Sequence, residues 1–221
     1  MTSKEKYLTE SNIDSIADSL LGRISQLTDL HQLPELTGTS ALLIIDMQDY
    51  FLDEESHAYV PSSGTIIPRI VRLAEAYQKS GNPVIFTKHI NTNSNAGMMK
   101  NWWRDIITVD NPSHNISSAF RTSDGLVIEK SQYDAFLGTD LHGILKKLEV
   151  KSVAITGVMT NLCCEATARS AFARGYEVIV PVDTTAAYNL QFHFSSLLNL
   201  AYGFAYVPHS IELINKMSSN R

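Results

Sequence analysis

Apolar positions along this chain come in two alternating patterns, short unbroken runs and stripes at helical spacing. Ala41-Leu42-Leu43-Ile44-Ile45 is an unbroken run that ends in Asp46, the pattern of a strand buried on both faces of a parallel sheet. From Thr65 to Ser80, residues Ile66, Ile67, Ile70, Leu73, Ala74 and Tyr77 recur on one helix face, and Gly81-Asn82 stops the helix. Residues 83–88 are strand-like again, as are 126–129, 153–156 and 177–182. Between them, Thr139 caps a helix that turns Leu141, Ile144, Leu145 and Leu148 inward. A helix over 163–174 is closed by Gly175, another covers 192–202, and 204–207 reads as a last edge strand. Residues 90–124 are long, polar and irregular, and include Trp102-Trp103; a connection of that length inside one domain is more often functional than idle.

Residues 1–40 read as a helical extension. Ser11-Asn12-Ile13-Asp14 caps a helix running to Leu21, with Ile13, Ile16, Ala17, Leu20 and Leu21 on one face, and Pro34 and Gly38 then break the chain. Residues 41–221 form a single domain with no linker inside it. Strand–helix alternation without an internal repeat implies an α/β fold of three α/β/α layers. The sheet is expected to be doubly wound, Rossmann-like, mainly parallel and six-stranded, in the order 3-2-1-4-5-6.

Composition narrows the function classes. The 221 residues, 44% hydrophobic and 19% charged, are ordinary for a globular domain. A net charge of −5 with no basic run argues against a nucleic-acid surface. No apolar run approaches the ~20 residues of a membrane helix. Met1-Thr2-Ser3-Lys4-Glu5-Lys6 has no secretory apolar segment behind it, so a soluble, cytoplasmic protein without a membrane partner is expected. The two cysteines, Cys163 and Cys164, are neighbours, and Cα atoms about 3.8 Å apart make a bond between them strained. No CxxC, HxH or HExxH occurs, so no metal site is expected.

Three chemically capable residues fall at strand ends. Asp46 closes the first strand, Lys130 follows the third, and Cys163 follows the fourth. In the expected strand order the first and fourth strands flank the crevice where such sheets bind ligands. Singly, each has an ordinary reading as a helix cap, a solvated cation or a packed thiol. Together they form a candidate catalytic set. The N–H groups and dipole at the start of the helix are expected to bring the Cys163 thiol well below the ~8.5 of a free cysteine.

The same residues carry a resemblance. Asp46-Met47-Gln48-Asp49-Tyr50-Phe51 resembles the Asp-x-Gln-x-x-Phe signature of the isochorismatase-like cysteine hydrolase superfamily. Lys130, in Glu129-Lys130-Ser131-Gln132-Tyr133-Asp134-Ala135-Phe136, resembles that family's lysine segment. Gly157-Val158-Met159-Thr160-Asn161-Leu162-Cys163 resembles its nucleophile turn, and the likeness runs from about residue 40 to 207. The resemblance implies a Cys163–Asp46–Lys130 triad, with Cys163 as nucleophile, Asp46 as base and Lys130 as its electrostatic partner. It also implies a cis peptide at Val158–Met159, with the Met159 and Cys163 N–H groups facing an oxyanion. Cys164, about 100° further round, is then a packed neighbour.

The motifs and nearby aromatics place Gln48, Phe51, His89, Trp103 and Tyr133 around a small-molecule substrate, in a pocket that Tyr50, Trp102 and Phe136 also approach. Nicotinamidases of the superfamily carry an Asp-x-His metal site, a spacing that Asp53-Glu54-Glu55-Ser56-His57 lacks. True isochorismatases commonly have Gly where Cys163 stands. The resemblance therefore implies a cofactor-independent hydrolase of an amide-like C–N bond, acting through a thioester. Isochorismatase activity and a non-enzymatic binding or redox module based on Cys163–Cys164 are the alternatives. Many members are dimers or tetramers, so a homo-oligomer is also implied.

Overall fold

The apolar run at Thr39–Ile45 (β1) forms the middle of the sheet in the computed structural model, which describes residues 3–219. It pairs in parallel with Val84–His89 (β2) on one side and Val150–Val158 (β4) on the other. Leu126–Lys130 (β3) lies outside β2, and Glu177–Ile179 (β5) outside β4, which gives the order β3-β2-β1-β4-β5. A two-residue strand, Thr185–Ala186 (β6), pairs with the end of β4 beyond the reach of β5. The result is a parallel six-stranded sheet, as the alternating pattern implies.

Helices cover both faces. They are Ile13–Ser25 (α1), Asp49–Leu52 (α2), Ser63–Lys79 (α3), Met99–Trp102 (α4), Leu141–Lys147 (α5), Glu165–Ala173 (α6), Leu190–Gly203 (α7) and Ser210–Ser219 (α8). Residues alternate in direction along a strand, so β1 feeds two cores. Ala41, Leu43 and Ile45 pack with Leu20 and Ile24 of α1, Leu145 of α5, Ala168 of α6 and Leu197 of α7. Leu42 and Ile44 pack with Ile66, Ile70 and Tyr77 of α3 and Leu213 of α8. All five of these β1 side chains are fully buried. Among the described residues, no helix is long and apolar enough to cross a membrane.

Several elements differ from the pattern-based expectation. α1 runs four residues past Leu21, because Ile24 extends the buried stripe by another turn. The strand expected over 177–182 stops at Ile179; Pro181 has no N–H with which to continue a ladder. Segment 204–207 makes only an isolated parallel bridge, Tyr206 to Ile179, and the sixth strand is β6. α8 was not anticipated, although Leu213 and Met217, one turn apart, are both buried.

Two unusual backbone positions lie where β1 and β4 end. Asp46 leaves β1 with φ 48°, a left-handed conformation that typically costs a non-glycine residue ~1–3 kcal/mol. Opposite Ile45, Gly157 has φ 105°, and a Cβ there would lie 2.1 Å from the Ile45 carbonyl oxygen. Only glycine lets β4 approach β1 so closely. Gly157→Ala is therefore expected to destabilise the fold by more than ~3 kcal/mol, read as a lower urea midpoint. Gly81→Ala, at φ 73° but with open space around it, should cost only ~1 kcal/mol. Equal effects of the two substitutions would contradict the steric argument.

Candidate active site

The strand order brings Lys130, His89, Asp46 and the turn after β4 side by side along one sheet edge. Lys130 is the last residue of β3, and its register partner on β2 is His89. The Lys130 Nζ lies 2.7 Å from Asp46 Oδ2, and both side chains are fully buried. It also donates to the Gln132 carbonyl at 2.9 Å and to His89 Nδ1 at 3.3 Å. That leaves the His89 proton on Nε2, which faces Asn91 Oδ1 at 2.9 Å. Asn91 in turn donates through Nδ2 to the Ser131 carbonyl. Thr87 clamps Asp46 from β2: its hydroxyl donates to Oδ1 at 2.6 Å and accepts from the Asp46 N–H at 3.1 Å. Asp46 Oδ2 makes no directed hydrogen bond beyond its ion pair.

Cys163 sits in a π-helical turn, Thr160–Cys164, that follows β4 and leads into α6. The Val158–Met159 peptide before that turn is cis. The turn is held from α7. His193 Nδ1 meets Thr160 Oγ1 at 2.9 Å, and Ser196 Oγ donates to Glu165 Oε2 at 2.6 Å. Asp46 and His89 each bring a polar atom within 4.8 Å of the thiol, and Lys130 and Asp46 both act on its charge. Cys164 is fully buried, with its Sγ 3.9 Å from the Thr156 carbonyl oxygen, in the core beneath. Both thiols are free.

Charge in this dry site is shared unevenly. Burial alone would raise the Asp46 carboxyl, but Lys130, His89 and the hydrogen bonds from Lys130 and Thr87 bring it below its ordinary value. Burial opposes the Lys130 ammonium, yet Asp46 raises it. Burial, reinforced by Lys130, lowers His89 to about 4, so its ring is neutral near pH 7. Cys163 departs from the expectation of a lowered thiol. Burial pushes it far above the ordinary cysteine value, Lys130 pulls it down, and the Asp46 charge pushes it up again. One ammonium cannot support two adjacent anions in a low-dielectric site, so the proton stays on sulfur while Asp46 is ionised.

Asp46, His89 and Cys163 place a carboxylate oxygen, a ring nitrogen and a sulfur within 4.8 Å of one another, a set with metal-ligand chemistry. The Lys130 ammonium already occupies the cationic position against the first two. A divalent ion there would face that charge, so with Lys130 in place the set does not fit a metal.

A cleft of about 580 Å³ opens above the thiol, with Cys163 and Met159 among its lining residues. Of the side chains expected around a substrate, Phe51, His89, Trp103 and Tyr133 line it, and so does Tyr50. Trp103 Nε1 donates to the Tyr133 hydroxyl at 2.7 Å. Asp46 and Lys130 lie beneath the lining. Gln48 does not reach the cleft. It is fully buried, accepts from the His89 N–H at 2.7 Å, and donates to the carbonyls of His89 and His114 at 3.1 and 2.7 Å. Its amide is consumed in tying the end of β2 to the 112–114 turn. Trp102 is 77% exposed and outside the cleft, and Phe136 stacks on Tyr176 instead. Thr87 and Asn91 were not singled out, although Thr87 alternates with His89 along β2 and Asn91 follows two residues past its end. A polar cluster of Tyr50, His57 and Asp105 on the wall was also missed; the His57–Asp105 contact is 2.9 Å and spans 48 positions.

Residues 40–212 match the isochorismatase domain family, and the chain belongs to that family. Nicotinamidase 3 of Arabidopsis thaliana is 34% identical over 188 residues, covering 82% of this chain and 90% of that protein. The N-carbamoylsarcosine amidase of Arthrobacter sp is 29% identical over 153 residues, 65% of this chain and 58% of that protein. A cysteine hydrolase structure from Pseudomonas syringae pv. phaseolicola 1448A superposes with a TM-score of 0.82 at 27% identity, covering 88% of this chain and 99% of that one. The protein is thus an isochorismatase-family hydrolase with an α/β fold.

Two buried neutral histidines give the site a pH signature. Burial lowers both His89 and His193 to about 4 from 6.5. A histidine lowered by folding contributes stability that is complete above its unfolded value and is lost as pH falls toward its folded one. Unfolding free energy should therefore drop between about pH 6.5 and 4, by up to about 3 kcal/mol per histidine. His193→Gln should remove roughly half of that dependence, measured by urea denaturation across the window. A stability that is flat over this range would contradict the assignment.

Proposed function

We propose that the protein is a cysteine amidohydrolase that cleaves an amide-like C–N bond of a small molecule through a thioester on Cys163. The observation that carries this reading is the buried Asp46–Lys130 ion pair beside a thiol that lines the cleft. Cys163 sulfur attacks the substrate carbonyl carbon as its proton passes to Asp46, whose Oδ2 has no other directed donor. Negative charge moves to the carbonyl oxygen, where the Met159 and Cys163 N–H groups act as donors. Asp46 then returns the proton to the nitrogen, the C–N bond breaks, and ammonia or an amine leaves. Water enters, Asp46 takes one of its protons, hydroxide adds to the thioester, and the acid departs as sulfur recovers its proton. Lys130 keeps Asp46 ionised between steps without taking up a proton itself.

The support is partly chemical and partly comparative. A thiol is the residue that acyl transfer needs and vinyl ether hydrolysis does not. Two of the relatives are named nicotinamidase and N-carbamoylsarcosine amidase. Phe51, Trp103 and Tyr133 give the cleft aromatic walls suited to a small planar group. Burial of Cys164 in the core speaks against a vicinal redox pair.

With a panel of small amides, intact-mass analysis should find an acyl adduct on Cys163 that hydroxylamine releases. Cys163→Ala and Asp46→Asn should each lower kcat/KM by at least about 10³-fold on any amide turned over. Hydrolysis that survives Cys163→Ala would overturn the proposal.

A further inference from the structure

The walls of the cleft carry an unbalanced charge. Its lining includes three formally charged groups, Lys4, Arg104 and Asp105. Asp105 is engaged within the wall: its carboxylate receives the Tyr50 hydroxyl and lies 2.9 Å from His57 Nε2. The two cations outnumber it. Arg104 is exposed at the cleft and has no hydrogen-bond or ion-pair partner among the described residues. Lys4 donates to the His57 and Tyr59 carbonyls at 2.7 and 2.9 Å, and its Nζ lies 4.3 Å from the centre of the Tyr188 ring. Carbonyls and a ring orient an ammonium without cancelling its charge.

Lys4 comes from outside the family-matched stretch of 40–212. The segment carrying it is laced to the rest of the cleft: the Glu5 N–H donates to the Tyr188 carbonyl at 2.8 Å, and Glu5 Oε1 accepts from the Leu190 N–H at 2.7 Å. The N-terminal segment therefore supplies a wall of the cleft as well as a helix on the sheet.

We propose that the substrate is an amide bearing a carboxylate, and that Lys4 and Arg104 hold this anionic end while the amide carbonyl lies over Cys163. The proposal rests on the cleft being the substrate site of the thiol chemistry described above. A volume of about 580 Å³ restricts the occupant to a small molecule. An unpaired guanidinium presents a planar fork of donors that matches a carboxylate, and the surplus positive charge draws an anion toward the cleft.

The test uses protection of Cys163 from iodoacetamide, which alkylates the sulfur as its proton passes to Asp46, followed by intact mass, so that it depends neither on turnover nor on a standing thiolate. Three probes of matched length are compared near pH 7.5: succinamate, butanamide and 4-aminobutanamide. Succinamate is expected to protect at a concentration roughly tenfold below that of butanamide, with 4-aminobutanamide weakest. The Lys4→Gln/Arg104→Gln double variant should bring succinamate and butanamide to within about twofold, and added salt should narrow the wild-type gap in the same direction. Equal or better protection by either of the other amides, no protection by succinamate, or a gap that persists in the double variant would overturn the proposal. If the protection order holds while no amide ever acylates Cys163, the failure belongs to the thioester reading and not to the charge assignment.

Discussion

The arrangement depends on the ion pair between Lys130 and Asp46, closed off from water at the end of a parallel sheet. Removing two charges from water costs several kcal/mol per ion, and only close contact with further hydrogen bonds offsets it. The sheet supplies both. The Thr87 hydroxyl, itself held by the Asp46 N–H, satisfies one carboxylate oxygen, while the Gln132 carbonyl and His89 occupy the remaining lysine protons. Losing either partner alone would strand the other charge, a change that typically costs ~3–5 kcal/mol. The left-handed turn at Asp46 and the glycine at 157 are the backbone conditions for bringing β1 and β4 close enough to form this site.

The pair also sets the protonation state of the thiol above it. Lys130 supports one anion, and Asp46 takes that role. Burial then holds the proton on Cys163, and in the proposed mechanism it leaves only when a carbonyl carbon is in place to receive the sulfur. In this account reactivity belongs to the bound complex, with an Asp46 oxygen within 4.8 Å of the thiol as the acceptor. Such a site spares its nucleophile from chance oxidation, because the thiolate is the form that oxidants attack.

Much of this could be read in the sequence, for identifiable reasons. A strand buried on both faces must be continuously apolar, so Ala41 to Ile45 announced the centre of the sheet, and Asp46 at its end became conspicuous. Strand order then predicted that Asp46, Lys130 and Cys163 would meet despite their separation. What escaped notice depended on tertiary detail. Nothing in a motif tells whether Gln48 points to the ligand or spends its amide on the backbone of His89 and His114. The expected lowering of Cys163 considered the helix start and left out burial, which is the larger effect here. Lys4 and the His57–Asp105 pair reach the cleft only because distant segments pack there, and no local pattern records that.

The most direct measurement is the thiolate absorbance of Cys163 as a function of pH, taken as the difference between the wild-type protein and Cys163→Ala. With Asp46 ionised beside a buried thiol, the account predicts no thiolate step between about pH 6 and 9, and a step at lower pH once Asp46→Asn removes the neighbouring negative charge while Lys130 remains. A wild-type thiolate already formed near pH 7, or an Asp46→Asn step shifted upward, would contradict it.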